Sequence, residues 1–437
     1  MIDHFQSALR SMPSYVREGE VSACNGLVIE AIGPDAHLGE VCELWPTSAA
    51  QPMLTQVIGF RDGRVLLMPY GSSAGLRVGD RLRASGRSMR IPVGPQLLGR
   101  VIDAFGVPLD GKGGLVTDTS YDVHRAPIAP LQRREDDTVL ETGIRVIDTL
   151  LTMGKGQRMG VFAGSGVGKS TLLGMMARHV KADVAVIGLI GERGREVGDF
   201  VAHALGEGGM QRAVVIAATS DQPALVRTHA AHAVAEYFRD QGNDVLLMVD
   251  SITRFAMAQR EIGLAAGEPP TSRGYPPSVF NTLPQLIERG GALKGKGSVS
   301  CVYSVLVEGD DMNEPVADHM RALLDGHIVL SRDMAHRGQL PAIDPLQSVS
   351  RWIGRLTTSS ERADASDAKA LLATFDASRD LIDMGAYQRG SNENLDRAVE
   401  RVPALLASFR QPPHVSHGRA EGYTTLASIL HGHGGAV

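Results

Sequence analysis

Three features of this 437-residue chain predict an α/β protein built in three parts. A glycine-rich turn, Ala163-Gly-Ser-Gly-Val-Gly-Lys-Ser170, joins a short apolar strand to an apolar helix running from Leu172 to Val180. Beyond it, apolar strands alternate with helical segments, the pattern of a parallel sheet covered on both faces. Ahead of it, brief β-rich runs broken by glycine and aspartate turns read as a small all-β barrel or sandwich.

The parts follow in order. Residues 1–20 hold an amphipathic segment, with Ile2, Phe5, Leu9 and Met12 on one helical stripe. Residues 21–102 carry the β-rich runs Gly26–Glu30, Thr55–Gly59 and Val65–Met68, cut by turns at Asp62-Gly63, Gly71 and Gly79-Asp80. A connection rich in glycine and proline, from Asp103 to Pro130, opens the α/β part, residues 103–355. Its predicted strands are Asp183–Ile190, Ala213–Ala218, Asp244–Val249 and Ser298–Leu306, with helices between them over Pro223–Arg239, Ile252–Gly263 and Val279–Arg289. In residues 356–437 the β signals fade, and Ser366–Asp383 and Asn394–Ser408 show helical apolar spacing, which predicts a C-terminal helical domain.

Composition narrows the function. Hydrophobic residues make up 43% and charged ones 21%, enough to bury large cores. The net charge of −5 supplies no global basic field to attract nucleic acid or an anionic membrane. The three cysteines, Cys24, Cys42 and Cys301, are scattered without a C-x-x-C pair, which fits a reducing compartment. No run approaches the ~20 apolar residues of a membrane span, and no basic-then-apolar leader opens the chain, so the expected location is the cytoplasm.

The glycine-rich turn carries the strongest chemical signal. Its glycines let the backbone N–H groups of Gly164, Ser165, Gly166, Val167 and Gly168 curl around phosphate, and the helix N-terminus beyond, with Thr171 in its first turn, adds partial positive charge. Lys169 reaches the outer phosphates, and the Ser170 hydroxyl is placed to hold Mg²⁺. Ala163 stands where the general pattern has glycine, a methyl tolerated if the residue keeps a negative φ. The motif implies binding of a nucleoside triphosphate.

Hydrolysis further requires a base, a metal shell and positive charge. Asp250 ends an apolar strand, where a carboxylate can order Mg²⁺ and its waters beside the phosphate loop. Glu192 and Arg193 follow another strand in Gly191-Glu-Arg-Gly-Arg-Glu196. Two readings stand there: a water-polarising base with a charge stabiliser, or a solvated turn whose Glu196 begins a helix. Asp310-Asp311 reads equally as second acids for the site or as a charged loop, and His431 with His433 as a metal tract or as tail residues.

Taken together, Ala163–Ser170, Gly191–Val197, Asp250–Ala256, Thr271–Val279 and Asp325–Arg332 resemble the core blocks of the catalytic subunits of the rotary ATPase superfamily. Within it the chain is similar to the flagellum-specific ATPases of the type III protein export apparatus. That resemblance implies an N-terminal β-barrel, a RecA-like P-loop ATPase domain and a C-terminal helical domain, assembled as a homohexamer with ATP and Mg²⁺ at sites between neighbours. It implies that Glu192 activates water, that Arg193 and Arg254 neighbour the γ-phosphate, and that Arg351, in Ser348-Val-Ser-Arg351, completes the adjoining subunit's site. Where the family commonly carries an adenine-stacking tyrosine, this chain has Leu340.

The implied partners are a stator-like regulator docking on the N-terminal stripe, a stalk-like central protein, membrane proteins of the export gate and chaperone-substrate complexes. The implied location is cytoplasmic, peripherally associated with the inner membrane. Four other readings compete: an injectisome secretion ATPase, a rotary synthase or vacuolar-type subunit, a RecA-like nucleic-acid motor, and a scaffold without turnover. Glu192 and Arg351 in one chain favour a homohexameric ATPase over the synthase subunit. The nucleic-acid motor lacks its basic, aromatic-studded barrel surface, so no specific nucleic-acid partner is expected.

Overall fold

The computed structural model describes residues 16–134, 137–217 and 224–432. The stripe Ile2, Phe5, Leu9 and Met12 and the residue His433 lie outside the described residues.

Six antiparallel strands close a barrel in the order Glu18–Asn25, Val28–Ile32, Arg64–Pro69, Met53–Arg61, Glu40–Trp45 and Arg81–Ser88, the last pairing back to the first. Alternation turns Val21, Ile29, Cys42, Leu44, Val57, Leu67 and Leu82 inward to form a core of their own. Closure leaves the barrel no unpaired edge.

The central sheet runs Ile343–Ser350, Gly326–Leu330, Arg158–Ala163, Ser298–Leu306, Asp244–Asp250, Val184–Leu189, Ala213–Ile216 and Arg100–Ile102, with the short Gly291–Ala292 paired to Ser298–Leu306. All eight are parallel to their neighbours except the edge strand Ile343–Ser350. Every residue of Val184–Leu189 is buried, as expected of a strand covered on both faces. The helix Ala224–Asp240 packs against it and is buried around most of its circumference, its alanines allowing close approach.

One assignment changes. Arg100–Ile102, grouped with the barrel in the sequence reading, hydrogen-bonds in parallel to Ala213–Ile216 at the far edge of the central sheet. A three-residue strand has too little periodicity to show which sheet it joins.

The C-terminal helices are Ser359–Ala377, Arg379–Asp383, Glu393–Phe409 and Arg419–His431. Thr358 starts the first with a reciprocal capping box to Glu361. Leu371, Val402, Leu405 and Leu426 merge into the same core as Leu172 and Met176 of the helix after the phosphate loop. The C-terminal region therefore shares its core with the phosphate-loop helix, and His179 at that helix's end lies 2.9 Å from the Pro413 carbonyl. His431, read as part of a tail or metal tract, instead closes the last helix, with Nε2 2.8 Å from an Asp364 carboxylate oxygen. Among the described residues no helix is long and apolar enough to cross a membrane.

Candidate active site

The site lies where parallel strands end, the edge at which loops and helix N-termini of such sheets converge on ligands. Strand Arg158–Ala163 leads into the phosphate loop and then helix Lys169–His179. Gly166 and Gly168 adopt φ of 78° and 93°, a left-handed backbone that favours glycine. Val167 between them is 2% exposed and pins the loop to the core, while Ser165 and Gly166 stay exposed. The loop thus presents its outer turn and the unpaired N–H groups of the helix start.

Asp250 ends a strand that lies two places from the loop's own. Ser304, on the strand between them, donates its hydroxyl to Asp250 Oδ1 at 2.5 Å. The Lys169 ammonium forms an ion pair with the same carboxylate and lies 3.6 Å from Glu192 Oε1. One cation therefore sits beside both acids, and a bound triphosphate must compete for it.

Glu192 follows strand Val184–Leu189 and precedes helix Gly194–Asp199. Burial, then the hydrogen bond with Glu196, then the Asp250 charge push its carboxyl up to about 7, against the pull of Lys169. Glu196 is held below the usual carboxylate range, chiefly by that hydrogen bond and by the backbone N–H of Arg193. The hydrogen bond thus favours protonation of Glu192 over Glu196. Sequence inspection gave Glu196 no such role, because its contact with Glu192 depends on where the helix begins.

A cavity of about 420 Å³ opens beside these groups, lined by Ser170, Thr171, Glu192, Glu196, Asp250 and, at another wall, Phe200 and Pro413. Arg254 is placed next to the Glu192 turn, since a Cβ on Gly191 would lie 3.1 Å from Arg254 Cγ. Arg193 is exposed at the start of its helix. Leu340 is 52% exposed, and its carbonyl accepts the backbone N–H of Gln411 at 2.9 Å. That bond sets Leu340 beside the segment that brings Pro413 to the cavity, a neighbour separated from it by more than seventy positions and without a sequence signal.

Arg351 is elsewhere. Ser350 pairs with Gly326, which in turn pairs with Met159 near the start of the loop's strand, while the phosphate loop follows that strand's end. The two lie at opposite edges of the sheet, roughly 16 Å apart along the strand at ~3.3 Å per residue.

Comparison with known proteins agrees with this architecture. The ATP synthase alpha/beta family, nucleotide-binding domain, matches residues 143–350, and the β-barrel domain of the same family matches residues 21–86. A flagellum-specific ATP synthase of Bacillus subtilis is 49% identical over 402 residues, covering 91% of this chain and 92% of that protein. The chain belongs to the ATP synthase alpha/beta family. Like its relatives in that family it is an ATP-binding enzyme that hydrolyses ATP. The T3SS EscN ATPase C-terminal domain matches residues 357–428. A flagellum-specific ATP synthase of Treponema pallidum is 49% identical over 98% of this chain and 96% of its own length. The structure of the assembled ATPase EscN from enteropathogenic E. coli superposes with a TM-score of 0.89 at 40% identity, over 94% of this chain and all of that one.

Of the residues expected at the site, Lys169, Ser170, Thr171, Glu192 and Asp250 meet at one cavity or ion-pair cluster, Arg254 adjoins it, and Leu340 and Arg351 do not.

Proposed function

We propose that this ATPase serves bacterial flagellar type III protein export, coupling Mg-ATP hydrolysis to the unloading and export of flagellar proteins. The observation that carries the mechanistic part is the separation of Lys169, Glu192 and Asp250 at one sheet edge from Arg351 at the other. An arginine that cannot reach its own chain's phosphates is placed to serve another chain's. Such a site is complete only where two identical subunits meet, which supports the homohexameric assembly of this reading. The export role rests on the names of relatives that match nearly end to end.

The residues fit Mg²⁺, a hard cation that takes oxygen ligands and keeps several waters. Ser170 Oγ and the Asp250 carboxylate line one cavity and would supply those oxygens. When bound, the ion neutralises charge on the phosphate oxygens. The loop N–H groups and Lys169 hold the phosphates in line with an attacking water. Glu192, once ionised, accepts the water's proton as the new bond to the γ-phosphorus forms and the bond to the bridging oxygen breaks, leaving ADP and phosphate. Arg254, Arg193 and the neighbour's Arg351 stabilise the charge on the γ-phosphoryl oxygens. Pro413 and Phe200, at the cavity's far wall, offer the adenine an apolar face.

A second EscN structure is described in complex with its central stalk EscO, which supports a stalk-like central partner here. The remaining partners of this reading are a stator-like regulator at the N-terminus, export-gate membrane proteins and chaperone-substrate complexes. The location is cytoplasmic, at the inner-membrane export apparatus.

A specific observation favours one alternative, an injectisome ATPase: a type 3 secretion system ATPase of Xanthomonas euvesicatoria is 46% identical over 91% of this chain. Chromosomal Lys169→Ala decides between them. Expected are loss of hydrolysis and of flagellar proteins from the culture supernatant, with injectisome substrates still secreted. The opposite secretion pattern overturns the flagellar reading, and near-normal hydrolysis overturns the site.

A further inference from the structure

A second cavity, of about 400 Å³, lies against the start of the phosphate loop and is walled by Ala163, Gly164, Val307, Asp310, Met312 and Arg332 among others. The mechanism above uses none of its charged groups. Two of them rest on the loop itself. A Cβ added to Gly164 would lie 2.6 Å from Asp310 Oδ1 and 2.9 Å from Arg332 Nη2, so this position admits only glycine while both polar heads stay in place.

Topology explains how they meet. Strands Ser298–Leu306 and Gly326–Leu330 flank the loop's strand on either side. Asp310 follows the first, in the turn Glu308–Asp310, and Arg332 follows the second as the first residue of helix Arg332–His336. Arg332 Nε reaches Asp310 Oδ2 at 3.4 Å, so the pair spans the strand exit from which the loop departs. Val307 N–H also donates to the Ala163 carbonyl at 3.0 Å.

Asp310 holds this position with φ of 58°, uncommon for a residue with a side chain. Both side chains are about half exposed, at 45% and 54%, and an ion pair so exposed adds little stability. Its placement on the first glycine of the loop calls for another explanation.

We propose that Asp310 and Arg332 are positioning residues of the phosphate loop: they set the loop's departure from its strand and link it to the segment 307–314, so that nucleotide in the loop orders that segment. The proposal rests on the reading of Gly164–Thr171 as the nucleotide site.

The test is hydrogen exchange by mass spectrometry on the full chain, with and without saturating Mg-ADP, together with steady-state kinetics. In the wild type, Mg-ADP should slow exchange in both 164–171 and 307–314. Arg332→Ala should keep the first effect and lose the second, with KM for ATP raised about fivefold or more, kcat within about threefold, and an unchanged melting temperature. Arg332→Lys should restore part of the KM, because it returns the charge without the guanidinium fork. Asp310→Ala should raise KM similarly, and the double variant no further than the worse single one. Protection of 164–171 with 307–314 unprotected in the wild type, or equally protected in Arg332→Ala, overturns the proposal alone. So do additive effects in the double variant. No protection of 164–171 in the wild type overturns the nucleotide-site reading and the proposal with it.

Discussion

Glu192 is the side chain on which the proposed chemistry turns, and its surroundings set when it can act. Burial and the neighbouring Glu196 and Asp250 raise its carboxyl to about 7, so in the empty site it is half protonated near neutrality. A base must be ionised, and kcat/KM reports the free enzyme. The acid limb of kcat/KM should therefore fall below about pH 7, and Glu196→Gln should move that limb to lower pH by removing a group that holds the proton on Glu192. The stability consequence has the opposite sign. A carboxyl raised in the folded state contributes stability in full below its unfolded value near 4.5, and this is lost as pH rises through about 7. Glu192→Gln, a permanent mimic of the protonated form, should thus bind Mg-ATP, lose ~10²-fold or more in turnover, and melt higher than wild type above pH 7 but not near pH 4. Leu340 permits a second test. Leu340 is exposed, with its carbonyl bound by the Gln411 N–H, and its aliphatic side chain would give a base laid against it an apolar face without π-stacking. Leu340→Tyr should lower KM for ATP by about three- to tenfold, the gain expected of an aromatic contact, with kcat little changed. An unchanged KM would place the base elsewhere.

Between the strands and helices, a buried polar cluster holds the linker after the barrel to the central sheet. Arg289, at the end of helix Pro277–Ile287, is 2% exposed and bonds to Glu236 at 2.7 Å and to the Val123 carbonyl at 2.9 Å. Glu236 also receives Arg125 of the linker at 3.0 Å. The rings of His124 and His229 lie nearby with centroids 4.3 Å apart and planes tilted by 55°, and His232 Nε2 lies 2.9 Å from Tyr303 Oη on the sheet. Burial first, then Arg289, pushes His124 down to about 4 and His232 to about 3. A histidine lowered in this way contributes stability above its unfolded value near 6.5, lost progressively as pH falls toward the folded value. Melting temperature should accordingly decline between about pH 6 and 4, and less steeply in His232→Gln, which cannot charge. Arg289→Ala removes the buried partner of Glu236 and leaves it only the partly exposed Arg125, so it should lower the melting temperature at every pH, and more so in combination with Arg125→Ala. Sequence inspection saw Val279–Arg289 as a helix but had no reason to pair its last residue with Glu236, because pairing across elements leaves no periodic trace.

For the assembled molecule, the opposite placement of the phosphate loop and Arg351 makes a prediction about mixtures. Arg351→Ala should bind nucleotide and lose ~10³-fold or more in turnover, the scale of an arginine supplied in trans. Mixed with Lys169→Ala chains, it should regain part of the activity, since some interfaces then combine one intact Lys169 with one intact Arg351. No recovery in rings shown to contain both chains would remove the trans role. The C-terminal helices share one core with the phosphate-loop helix, a cluster that includes Leu172, Met176, Leu371 and Leu405.

The phosphate loop, its strand and its helix were legible in residues 158–180 because glycine conformations, a helix start and apolar periodicity are all properties of contiguous chain. The three-part α/β architecture was legible for the same reason; Lys169 and Ser170 were expected from the glycine-rich motif that opens their helix, and Asp250 from its place at a strand end. Other features depended on neighbours far away in sequence. The fold joined Arg100–Ile102 to the central sheet, set Glu196 against Glu192, carried Pro413 to the cavity, laid Arg332 and Asp310 on Gly164, and removed Arg351 to the opposite edge. A dihedral preference or an apolar stripe acts over a few residues, whereas a contact between distant residues exists only once packing has chosen which elements lie side by side.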